Sequence, residues 1–471
     1  MTQDWISQLL IALAACEREL LIFAAFWFVV GLLDELAIDL TWLWLRLTGQ
    51  ARTQRLPQGY GADPLHGPIA VLIPAYREAG VIGTTIAHAL AAWPQRELRL
   101  YVGCYRNDSV TLAAAMEGAG SDPRVRLVVH GVAGPTTKAD CLNRLYRAMC
   151  DDEVRGGQPF RGVVLQDAED MVHPAALQAI DAALGAVDFV QLPVHPLIQA
   201  DSRWIGGHYA DEFAESHAKA LVVRNALGAP LPAAGVGCGF SRGAMQRLAE
   251  RRLDEGGEGP FAPECLTEDY ELGIELSREG RGSAFLRLRD AQGGLVATSS
   301  YFPATLASAV RQKTRWVHGI AFQGWDRLGW QFRPVELWMA LRDRRGPLTA
   351  LVLGAAYLLL AIDAVLILCH WALGIDAVLP LSGPMRVMLI ASSVGFVWRA
   401  ASRALFTGRE YGGAEALRSV LRIPVGNVIA IMAGRRALLA YLRSLLGGQV
   451  VWDKTEHAGH PARAVLQEVR A

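Results

Sequence analysis

The 471-residue sequence lacks the features that mark several common classes of protein. Its seven cysteines are odd in number and form no C-x-x-C pair, which argues against a disulfide framework or zinc knuckle and fits a reducing compartment. Its 46 basic residues balance 46 acidic ones, so the excess positive charge of a nucleic-acid-binding protein is missing. No G-x-G-x-x-G follows the first strand-like run of the middle region, and no G-x-x-x-x-G-K-[ST] occurs. Ordinary dinucleotide and P-loop sites are therefore disfavoured.

Apolar residues are abundant instead. They make up 52% of the chain, and the mean hydropathy is +0.22, which predicts a membrane-embedded part. The first apolar segment, residues 20–45, is long enough to span a bilayer but contains Asp34, Glu35 and Asp39. Because acids at that depth are costly, we expect them to face other helices. The alternative is a long interfacial helix.

Two further segments are predicted to span the membrane, residues 348–373 and, more weakly, residues 379–398. Residues 425–447 contain three arginines and are predicted to form an amphipathic helix on the cytoplasmic surface. Arginines cluster after the first span, before the second and after the third, which predicts an external N-terminus and a cytoplasmic middle region. The predicted units are 1–55 (N-terminal helix), 68–330 (cytoplasmic domain), 335–410 (transmembrane helices) and 411–471 (interface helix and tail).

The middle region alternates short apolar runs with helical stretches. The runs are residues 69–76, 98–105, 125–130, 162–170 and 187–194. This alternation predicts βαβ units and an α/β fold with a largely parallel sheet. Ligands bind beyond the carboxyl ends of the strands in such sheets, which is where Asp108 and the acidic cluster that follows residue 165 fall.

The acidic cluster reads QDAEDMVH and places three carboxylates within four positions. Asp167 and Glu169 are two residues apart, so they point to the same side of an extended strand end, and Asp170 follows them. Carboxylates this close need a neutralising cation, and Mg²⁺ or Mn²⁺ binds one or two carboxylates together with phosphate oxygens. A solvated acidic turn is the alternative.

A second acidic group lies in LTEDYELGIEL. Thr267 is a candidate N-cap, which places Glu268 and Asp269 in the first turn of a helix, where the dipole favours ionised carboxylates. A carboxylate held over a sugar site is suited to accept a hydroxyl proton. Capping of an ordinary helix is the alternative.

Two basic stretches suit a diphosphate. Lys138 and Asn143 flank a predicted helix start with Asp140 in its first turn, where backbone N–H groups favour phosphate. In RQKTRWVHG, Gln312, Arg315 and Trp316 fall at i, i+3 and i+4, so an amide, a guanidinium and an indole share one helical face. An ordinary solvated helix start and a membrane-proximal basic face are the respective alternatives.

Together these stretches carry a family resemblance across residues 70–457. In order, the chain contains PAYREA, YRND, KADCLN, DAED, GVGCGF, TED and QKTRW. It resembles the membrane-integrated family 2 glycosyltransferases, the GT-A superfamily of cellulose, hyaluronan and poly-N-acetylglucosamine synthases. It is similar in particular to the glycosyltransferase portion of the phage N4 adsorption protein B group, which has motifs similar to DAEDMVHP and WDKTEH. The resemblance implies a Rossmann-like GT-A cytoplasmic domain with flanking transmembrane helices.

The resemblance also implies roles for individual residues. Asp269 would be the catalytic base, with Glu268 and Thr267 beside it. The implied donor-binding residues, among them Asp108 at the uridine and Lys138 at the diphosphate, are Pro74, Tyr76, Glu78, Asp108, Lys138, Asp140, Asn143 and Asp167. The implied acceptor and diphosphate residues are Gln312, Arg315, Trp316, Gly237, Phe240, Lys454, Thr455 and His457. The implied metal-binding residues are Asp167, Glu169 and Asp170.

The sequence departs from the family pattern at two places. The third position of the D-x-D motif is Glu169, so the choice between Glu169 and Asp170 as metal ligand stays open. The gating-loop motif F-x-V-T-x-K of cellulose synthase is absent, and a late VWDKTEH stands in the C-terminal region. We expect Lys454, Thr455 and His457 of this stretch to close over the diphosphate. A structural C-terminal tail is the alternative.

The function that the resemblance implies is inverting, metal-dependent transfer of a hexose or N-acetylhexosamine from a UDP-sugar to a growing polysaccharide. The enzyme would lie in the bacterial inner membrane as a multi-pass protein, with Mg²⁺ or Mn²⁺ as cofactor. UDP-N-acetylhexosamine is the expected donor and UDP-glucose the second choice. The expected partners are membrane lipids and either a second copy or an outer-envelope export partner, with no nucleic acid. The alternatives are transfer of one sugar to a lipid acceptor and a non-catalytic envelope scaffold.

Overall fold

The computed structural model describes residues 2–375, 380–447 and 459–462. The chain begins with one long helix, α1 (Thr2–Leu47), whose apolar sequence contains no proline or other helix breaker apart from Gly31. Near its C-terminal end, Trp42 donates a hydrogen bond from Nε1 to the carbonyl oxygen of Ala218 at 3.0 Å. The end of α1 therefore lies against the domain that follows.

The middle of the chain folds into an α/β domain. Its strands are β1 (Gln54–Arg55), β2 (Ile69–Pro74), β3 (Leu98–Tyr105), β4 (Val125–His130), β5 (Gly162–Leu165), β6 (Phe189–Gln191), β7 (Val194–Leu197), β8 (Cys238–Ser241), β9 (Ser283–Phe285), β10 (Leu288–Arg289) and β11 (Thr298–Tyr301). Seven of these form one sheet in the order β4-β3-β2-β5-β8-β6-β9. Its neighbouring strands are parallel except for β8, which runs antiparallel to β5 and β6. The pairs β1-β10 and β7-β11 are parallel two-stranded sheets. The predicted α/β class with a mostly parallel sheet is confirmed.

Helices cover the main sheet and continue beyond the domain. They are α2 (Ile82–Ala92), α3 (Ser109–Ala119), α4 (Lys138–Gly156), α5 (Ala176–Ala183), α6 (Ile205–Glu215), α7 (Leu221–Ala226), α8 (Arg242–Asp254), α9 (Glu268–Arg278), α10 (Leu306–Trp316), α11 (Gly324–Leu328), α12 (Pro334–Arg344), α13 (Gly346–Leu373), α14 (Gly383–Tyr411), α15 (Gly413–Leu421) and α16 (Ile423–Leu445). Short π-helical segments, Ser216–Ala220 and Val317–Gln323, follow α6 and α10. Such segments are frequent at functional sites.

Two apolar layers enclose the main sheet. Ile82, Ile86 and Trp93 pack on one face, and Leu145 and Met149 pack on the other, all with almost no exposed surface. Strands buried on both faces read as continuous apolar runs rather than alternating ones, which is why the runs in the sequence identified them. This double packing fixes the carboxyl edge of the sheet, where the candidate site lies.

The acidic residues of α1 face protein. Asp34 and Glu35 accept hydrogen bonds from Arg345 at 2.6 and 2.7 Å, and Asp39 accepts one from Trp398 Nε1 at 2.7 Å. Lys219 of the first π-helical segment also pairs with Asp39. The prediction that these acids face other helices rather than lipid is confirmed.

Among the described residues, three helices are long and apolar enough to cross a membrane: Trp5–Leu47, Gly346–Leu373 and Ile423–Leu445. The first two coincide with predicted spans. The third is the segment that the sequence analysis interpreted as an amphipathic surface helix. Most of the predicted third span lies in α14 instead, and α14 does not reach the same mean hydropathy over 18 residues. Arg399, Arg403 and Arg409 lower the mean hydropathy of α14, whereas the apolar first half of α16 raises the mean hydropathy of α16.

The contacts of α16 nevertheless follow the α/β domain along its length. Ile429, in its first half, lies in an apolar cluster with Tyr209 and Val310. Near its other end, the ring of Tyr441 stacks on Phe322 with 4.6 Å between the ring centroids. Both halves of α16 therefore contact the α/β domain, and its predicted position on the membrane surface stays a prediction.

Candidate active site

Two adjoining pockets open at the carboxyl edge of the parallel strands. They share five lining residues that the sequence analysis singled out: Lys138, Asp167, Glu169, Gln312 and Arg315. One pocket is completed mainly by the loop after β2 and by β3, and the other by the start of α9 and by β11. We name them the donor-side and the acceptor-side pocket, after the roles that the family resemblance implies for their residues. The five shared residues come from three distant stretches of the sequence and meet in one cleft.

The donor-side pocket is lined by Pro74, Tyr76 and Glu78, as predicted. It also contains Tyr105, which the sequence analysis missed, and whose ring meets Tyr76 edge to face at 5.0 Å. The Tyr105 hydroxyl lies 2.7 Å from Thr136 Oγ1. Tyr105 is the last residue of a predicted strand, so the rule that ligands bind beyond the carboxyl ends could have identified it.

Asp108 supports this pocket from behind. Its carboxylate accepts hydrogen bonds from the backbone N–H groups of Arg77 at 2.5 Å and Thr111 at 3.3 Å. Arg77 has a φ of 55°, a left-handed conformation that is strained for a residue other than glycine. Asp108 therefore holds the turn between Tyr76 and Glu78 in place, besides capping α3.

The start of α4 contributes Lys138 to the cleft but gives Asp140 and Asn143 structural contacts. Thr137 and Asp140 form a reciprocal capping box, with hydrogen bonds of 3.0 and 3.1 Å. The buried Asn143 side chain donates to the carbonyl oxygen of Phe261 and accepts from its N–H. The predicted donor-binding role of Asp140 and Asn143 thus finds no support, because both side chains are committed to holding the backbone.

Lys138 and Asp167 form an ion pair across the centre of the cleft, with 2.6 Å between Nζ and Oδ1. Burial would lower the pKa of Lys138, but the neighbouring carboxylates Asp167, Glu268 and Asp269 outweigh it and raise this pKa above its ordinary value. Lys138 therefore keeps its positive charge within the cleft. A fixed cation at the start of a helix is well suited to a phosphate group.

The acidic loop comprises residues 167–170, which follow β5. Within it, Asp170 differs from Asp167 and Glu169. It is only 2% exposed and accepts a hydrogen bond from the Asp167 N–H at 2.7 Å, so it shapes the loop. Burial, together with the charges of Asp167 and Glu169, raises the pKa of Asp170 well above its ordinary value. Asp167 and Glu169 line both pockets, whereas Asp170 lines only the acceptor-side one. This geometry favours Glu169 over Asp170 as the second metal ligand.

The carboxylates fit a divalent cation that completes its shell with ligand oxygens. In the described part of the chain, no group of three or more His, Cys, Asp or Glu residues is arranged to hold a metal. Mg²⁺ is commonly bound by one or two carboxylates plus substrate phosphates, which is the number that Asp167 and Glu169 supply. The mutual repulsion within the acidic loop is what such a cation would relieve.

Glu268 and Asp269 begin α9 on the acceptor side. Thr267 is the N-cap by position, as predicted, but its side chain makes no capping hydrogen bond. Burial and the adjacent Asp269 raise the pKa of Glu268 to about 7. Burial also raises the pKa of Asp269, although Lys138 and Arg315 oppose the shift. A raised carboxylate pKa near neutrality suits proton transfer at physiological pH.

The glycine-rich GVGCGF stretch allows the backbone to pass close to Asp269. Gly235 has a φ of 76°, and a Cβ placed on it would clash with the Asp269 carboxylate and approach Lys138 Nζ to 3.4 Å. The sequence analysis singled out Gly237 and Phe240 instead. Gly237 packs beside Thr298, and Phe240 is fully buried in β8, where its ring stacks on Phe189 at 4.9 Å. The predicted acceptor contact of Phe240 is therefore wrong, because alternation along β8 turns this side chain into the core.

The predicted shared face of α10 is confirmed, since Gln312, Arg315 and Trp316 line the same pocket. Gln312 Oε1 is buried and has no hydrogen-bond partner among the described residues. Buried polar atoms are normally paired, so an unpaired one facing a cleft marks a place where a ligand donor can bind. Arg315 adds a guanidinium, which matches phosphate oxygens.

The acceptor side also has an aromatic wall that the sequence analysis missed. Phe213 and Phe302 line the pocket with Trp316, and their ring centroids are 5.2 Å apart. Phe213 comes from α6 and Phe302 follows β11, so these rings meet only through the tertiary fold. No local pattern in the sequence links these two residues.

Lys454, Thr455 and His457 lie outside the described residues. The short described segment that follows them does reach the site. His460 is 2% exposed, and its Nε2 lies 3.2 Å from the carbonyl oxygen of Asp170. Its Nδ1 accepts the Ala462 N–H at 3.0 Å, which leaves the ring proton on Nε2 to be donated to Asp170. The C-terminal region therefore packs on the acidic loop.

Comparison with known families gives a match over residues 66–319 to a family model described as glycosyltransferase like family 2. The matched region comprises more than half of the chain and contains every described site residue except the C-terminal His460. It begins just before β2 and ends in the π-helical segment after α10.

Two curated relatives are the bacteriophage adsorption protein B of Escherichia coli K12 and the bacteriophage N4 adsorption protein B of Escherichia coli O157:H7. Each is 33% identical over 460 residues, a match that covers 92% of this chain and 61% of the relative. The chain thus spans about three fifths of the length of these relatives.

Among solved structures, a mannosyltransferase from Pyrobaculum calidifontis in complex with GDP-Man and Mn²⁺ is 18% identical, with a TM-score of 0.47. That match covers 89% of this chain and 99% of the other. A glucosyl-3-phosphoglycerate synthase of Mycobacterium tuberculosis, in complex with Mn²⁺ and UDP, is 16% identical, with a TM-score of 0.30. It covers 50% of this chain and 72% of the other.

Proposed function

This chain belongs to glycosyltransferase family 2, and from that premise we propose that it transfers a hexose or N-acetylhexosamine from a UDP-sugar to a growing polysaccharide, with inversion. The observation that carries the proposal is the pair of pockets that share Lys138, Asp167, Glu169, Gln312 and Arg315. A diphosphate at this junction would leave the nucleoside on the donor side and the sugar facing Asp269.

The proposed reaction is a single displacement. Asp269 accepts the proton of an acceptor hydroxyl as its oxygen forms a bond to the anomeric carbon. The bond between that carbon and the diphosphate oxygen breaks at the same time, and UDP leaves with the electron pair. Lys138 and Arg315 stabilise the negative charge that develops on the leaving diphosphate, since fixed positive groups are most effective where charge develops.

Asp167 and Glu169 are the residues that would hold Mg²⁺ or Mn²⁺. When bound, the ion neutralises charge on the diphosphate and so makes UDP a better leaving group. Asp170 and His460 keep the acidic loop in its position through the hydrogen bonds described above. The side chains of Tyr76 and Tyr105 form an aromatic surface suited to the nucleobase.

We place the enzyme in the bacterial inner membrane, with the catalytic domain in the cytoplasm. The apolar helices α1 and α13 and the arginines at their domain-facing ends support this topology. The position of α16 along the domain adds an interfacial helix. The proposed units are those predicted from the sequence, with residues 68–330 forming the catalytic part. A second copy or an export partner would supply further helices for a polysaccharide channel.

Transfer of one sugar to a lipid acceptor is the second candidate. It is favoured by the small number of apolar helices in the described part of the chain, since α1, α13 and the less apolar α14 would enclose a narrow channel at most. The aromatic wall of Phe213, Phe302 and Trp316 fits either acceptor. Product length distinguishes the two functions.

The test uses purified protein with Mg²⁺ or Mn²⁺ and, separately, UDP-GlcNAc, UDP-ManNAc, UDP-glucose and UDP-galactose. UDP release and product size are both measured. We expect one donor to give long products and Asp269→Asn to lower turnover about 10³-fold, the typical effect of losing a general base, while donor binding persists. Glu264→Gln, an exposed carboxylate near the same helix, is the matched control and should keep wild-type turnover.

A mono-glycosylated lipid as the sole product would establish the second candidate. Absence of both donor binding and UDP release with all four sugars would contradict the enzymatic proposal and favour a non-catalytic scaffold. Wild-type turnover of Asp269→Asn would remove Asp269 as the base while leaving the transfer reaction in place.

A further inference from the structure

A second cavity, separate from the cleft, lies where α1 and α14 meet the α/β domain. Its volume is about 830 Å³, within the range of small-molecule sites. Its walls come from the C-terminal end of α1, the residues just after it, strands β9 and β10 and the C-terminal end of α14. It shares no lining residue with either pocket of the candidate active site.

The lining of this cavity is strongly positive. It contains five arginines and a single carboxylate, Glu410: the arginines are Arg46, Arg52, Arg287, Arg289 and Arg409. Glu410 Oε1 accepts hydrogen bonds from Arg287 at 2.5 Å and Arg289 at 2.6 Å, so this carboxylate is already engaged. The remaining arginines have no ion pair with a described residue. The cavity therefore holds more positive charge than its own groups neutralise.

The deepest arginine has a donor that the protein does not use. Arg287 donates to Thr53 Oγ1 at 3.0 Å and to Glu410, but its Nε is buried without a partner among the described residues. Burial lowers the pKa of Arg287; the nearby Arg289 and Arg46 add to this effect and Glu410 opposes it. The unpaired guanidinium N–H and the surplus of positive charge both favour binding of an anion with several oxygen atoms.

The position of the cavity points to the membrane boundary. Beside Arg46 on α1, the apolar side chains Trp44 and Leu47 are 55% and 79% exposed. Within the cavity, Trp42 and Phe406 meet edge to face with 5.3 Å between their centroids. Arginines next to exposed apolar and aromatic side chains at the end of an apolar helix match the composition of sites that hold acidic lipid headgroups.

We propose that this cavity binds a phosphate ester, held by the guanidinium groups around Arg287, at the cytoplasmic boundary of the membrane. Two sources share this chemistry: the headgroup of an acidic phospholipid and a soluble phosphate monoester. Binding requires no glycosyl transfer, so the proposal rests on the membrane topology proposed above but not on the proposed reaction. The occupant would lie between α1, α14 and the domain, and would link the three.

The test measures bound ligand on the detergent-purified full chain by native mass spectrometry. Phosphatidylglycerol and the zwitterionic phosphatidylcholine are added separately, and glycerol 3-phosphate is added alone or as a competitor. We expect one tightly bound phosphatidylglycerol or one bound glycerol 3-phosphate, with phosphatidylcholine at least tenfold weaker. Displacement of the lipid by micromolar glycerol 3-phosphate would identify a soluble ligand, and retention of the lipid would identify the headgroup.

The variant is Arg52→Gln with Arg409→Gln, because both side chains are exposed and neither is needed to pair Glu410. It should weaken binding about tenfold or more, since each arginine near a membrane surface contributes measurably to anion binding. Arg435→Gln with Arg436→Gln removes the same charge from exposed positions on α16, outside the cavity, and should leave binding unchanged. Asp269→Asn should also bind normally.

Equal weakening by the two double variants would overturn the proposal, because it would show that only net charge matters. Equal affinity for phosphatidylglycerol and phosphatidylcholine, with no binding of glycerol 3-phosphate, would overturn it as well. Arg287→Gln, which removes the deepest donor, provides a further check and should weaken binding more than the exposed pair does.

Discussion

In the two proposals, the cleft and the arginine-lined cavity bind phosphate in opposite ways. The cleft presents a loop with three carboxylates and would need cations, Lys138, Arg315 and a metal, before a diphosphate could approach. The cavity presents five arginines against one carboxylate and attracts an anion directly. A metal-dependent diphosphate can be released after reaction, whereas an anion held by arginines alone remains bound whatever the metal supply. The difference suits a site for turnover and a site for anchoring.

Metal removal gives the largest expected contrast between these sites. A chelator should abolish UDP release, because Asp167 and Glu169 without a cation repel the diphosphate. Phosphatidylglycerol binding at the cavity should not change, since its lining has no metal-binding group other than Glu410. Turnover at excess Mg²⁺ and after chelation, measured beside lipid binding, checks both. Full turnover in chelator would show that Lys138 and Arg315 neutralise the diphosphate alone.

A single methyl group near Asp269 should have the next largest effect. Gly235→Ala adds a Cβ that clashes with the Asp269 carboxylate, and displacing that group should lower turnover about 10²-fold. Gly228→Ala is the matched control, because Gly228 has a similar φ of 66° with open space around it. Both variants should lose about 1 kcal/mol of stability through backbone strain. Equal turnover of the two would show that Asp269 tolerates displacement.

Lowering the pH should reduce turnover in the cleft by a smaller factor and leave lipid binding in the cavity unchanged. The catalytic carboxylate must be ionised, and burial raises the pKa of Asp269 above its ordinary value, although Lys138 and Arg315 oppose the shift. Turnover should therefore fall as the pH drops through a range above the ordinary carboxylate pKa near 4, by about tenfold per unit once Asp269 is mostly protonated. Phosphatidylglycerol is a phosphodiester and keeps one negative charge from pH 6 to 8, so its binding in the cavity should be constant over this range. A kcat/KM profile flat down to pH 5 would contradict the raised pKa.

The smallest effect is expected at His460. His460→Ala removes the donor to the Asp170 carbonyl oxygen and should raise the metal concentration for half-maximal activity about tenfold, the lower end of the loss expected when a group that supports metal ligands is removed. His460→Gln, which keeps an N–H donor, should restore part of this affinity. An unchanged metal requirement in both variants would show that the tail only covers the loop. Lipid binding at the cavity should be the same in both.

The sequence predicted the parts of the fold that local pattern controls. Leu98–Tyr105 and Val125–His130 form strands over the predicted residues, because each is a short stretch rich in apolar residues between turn residues. The antiparallel β8 was missed, since four residues rich in glycine and cysteine carry no strand pattern of their own. Its place between β5 and β6 is determined by pairing with distant strands, which periodicity does not report.

The candidate site was predictable where motif residues act through their own side chains. Lys138, Asp167, Gln312 and Arg315 meet as expected. Asp140 and Phe240 lie in the same motifs but turn to the backbone and the core, because a motif specifies residue type and not side-chain direction. The wall formed by Phe213 and Phe302 depends on contacts between elements about 90 residues apart in the sequence, so only the structure reveals it.

The acidic end of α1 has a consequence for the order of events during synthesis. Asp34 and Glu35 emerge early, but their partner Arg345 follows about 310 residues later. At translation rates of about 5–20 residues per second, these carboxylates wait about 15–60 s for their guanidinium groups. In the proposed topology, the helix would be held in the membrane during that interval without these ion pairs. The ion pairs that join α1 to the rest of the protein would therefore form only after the α/β domain and α12 have been synthesised.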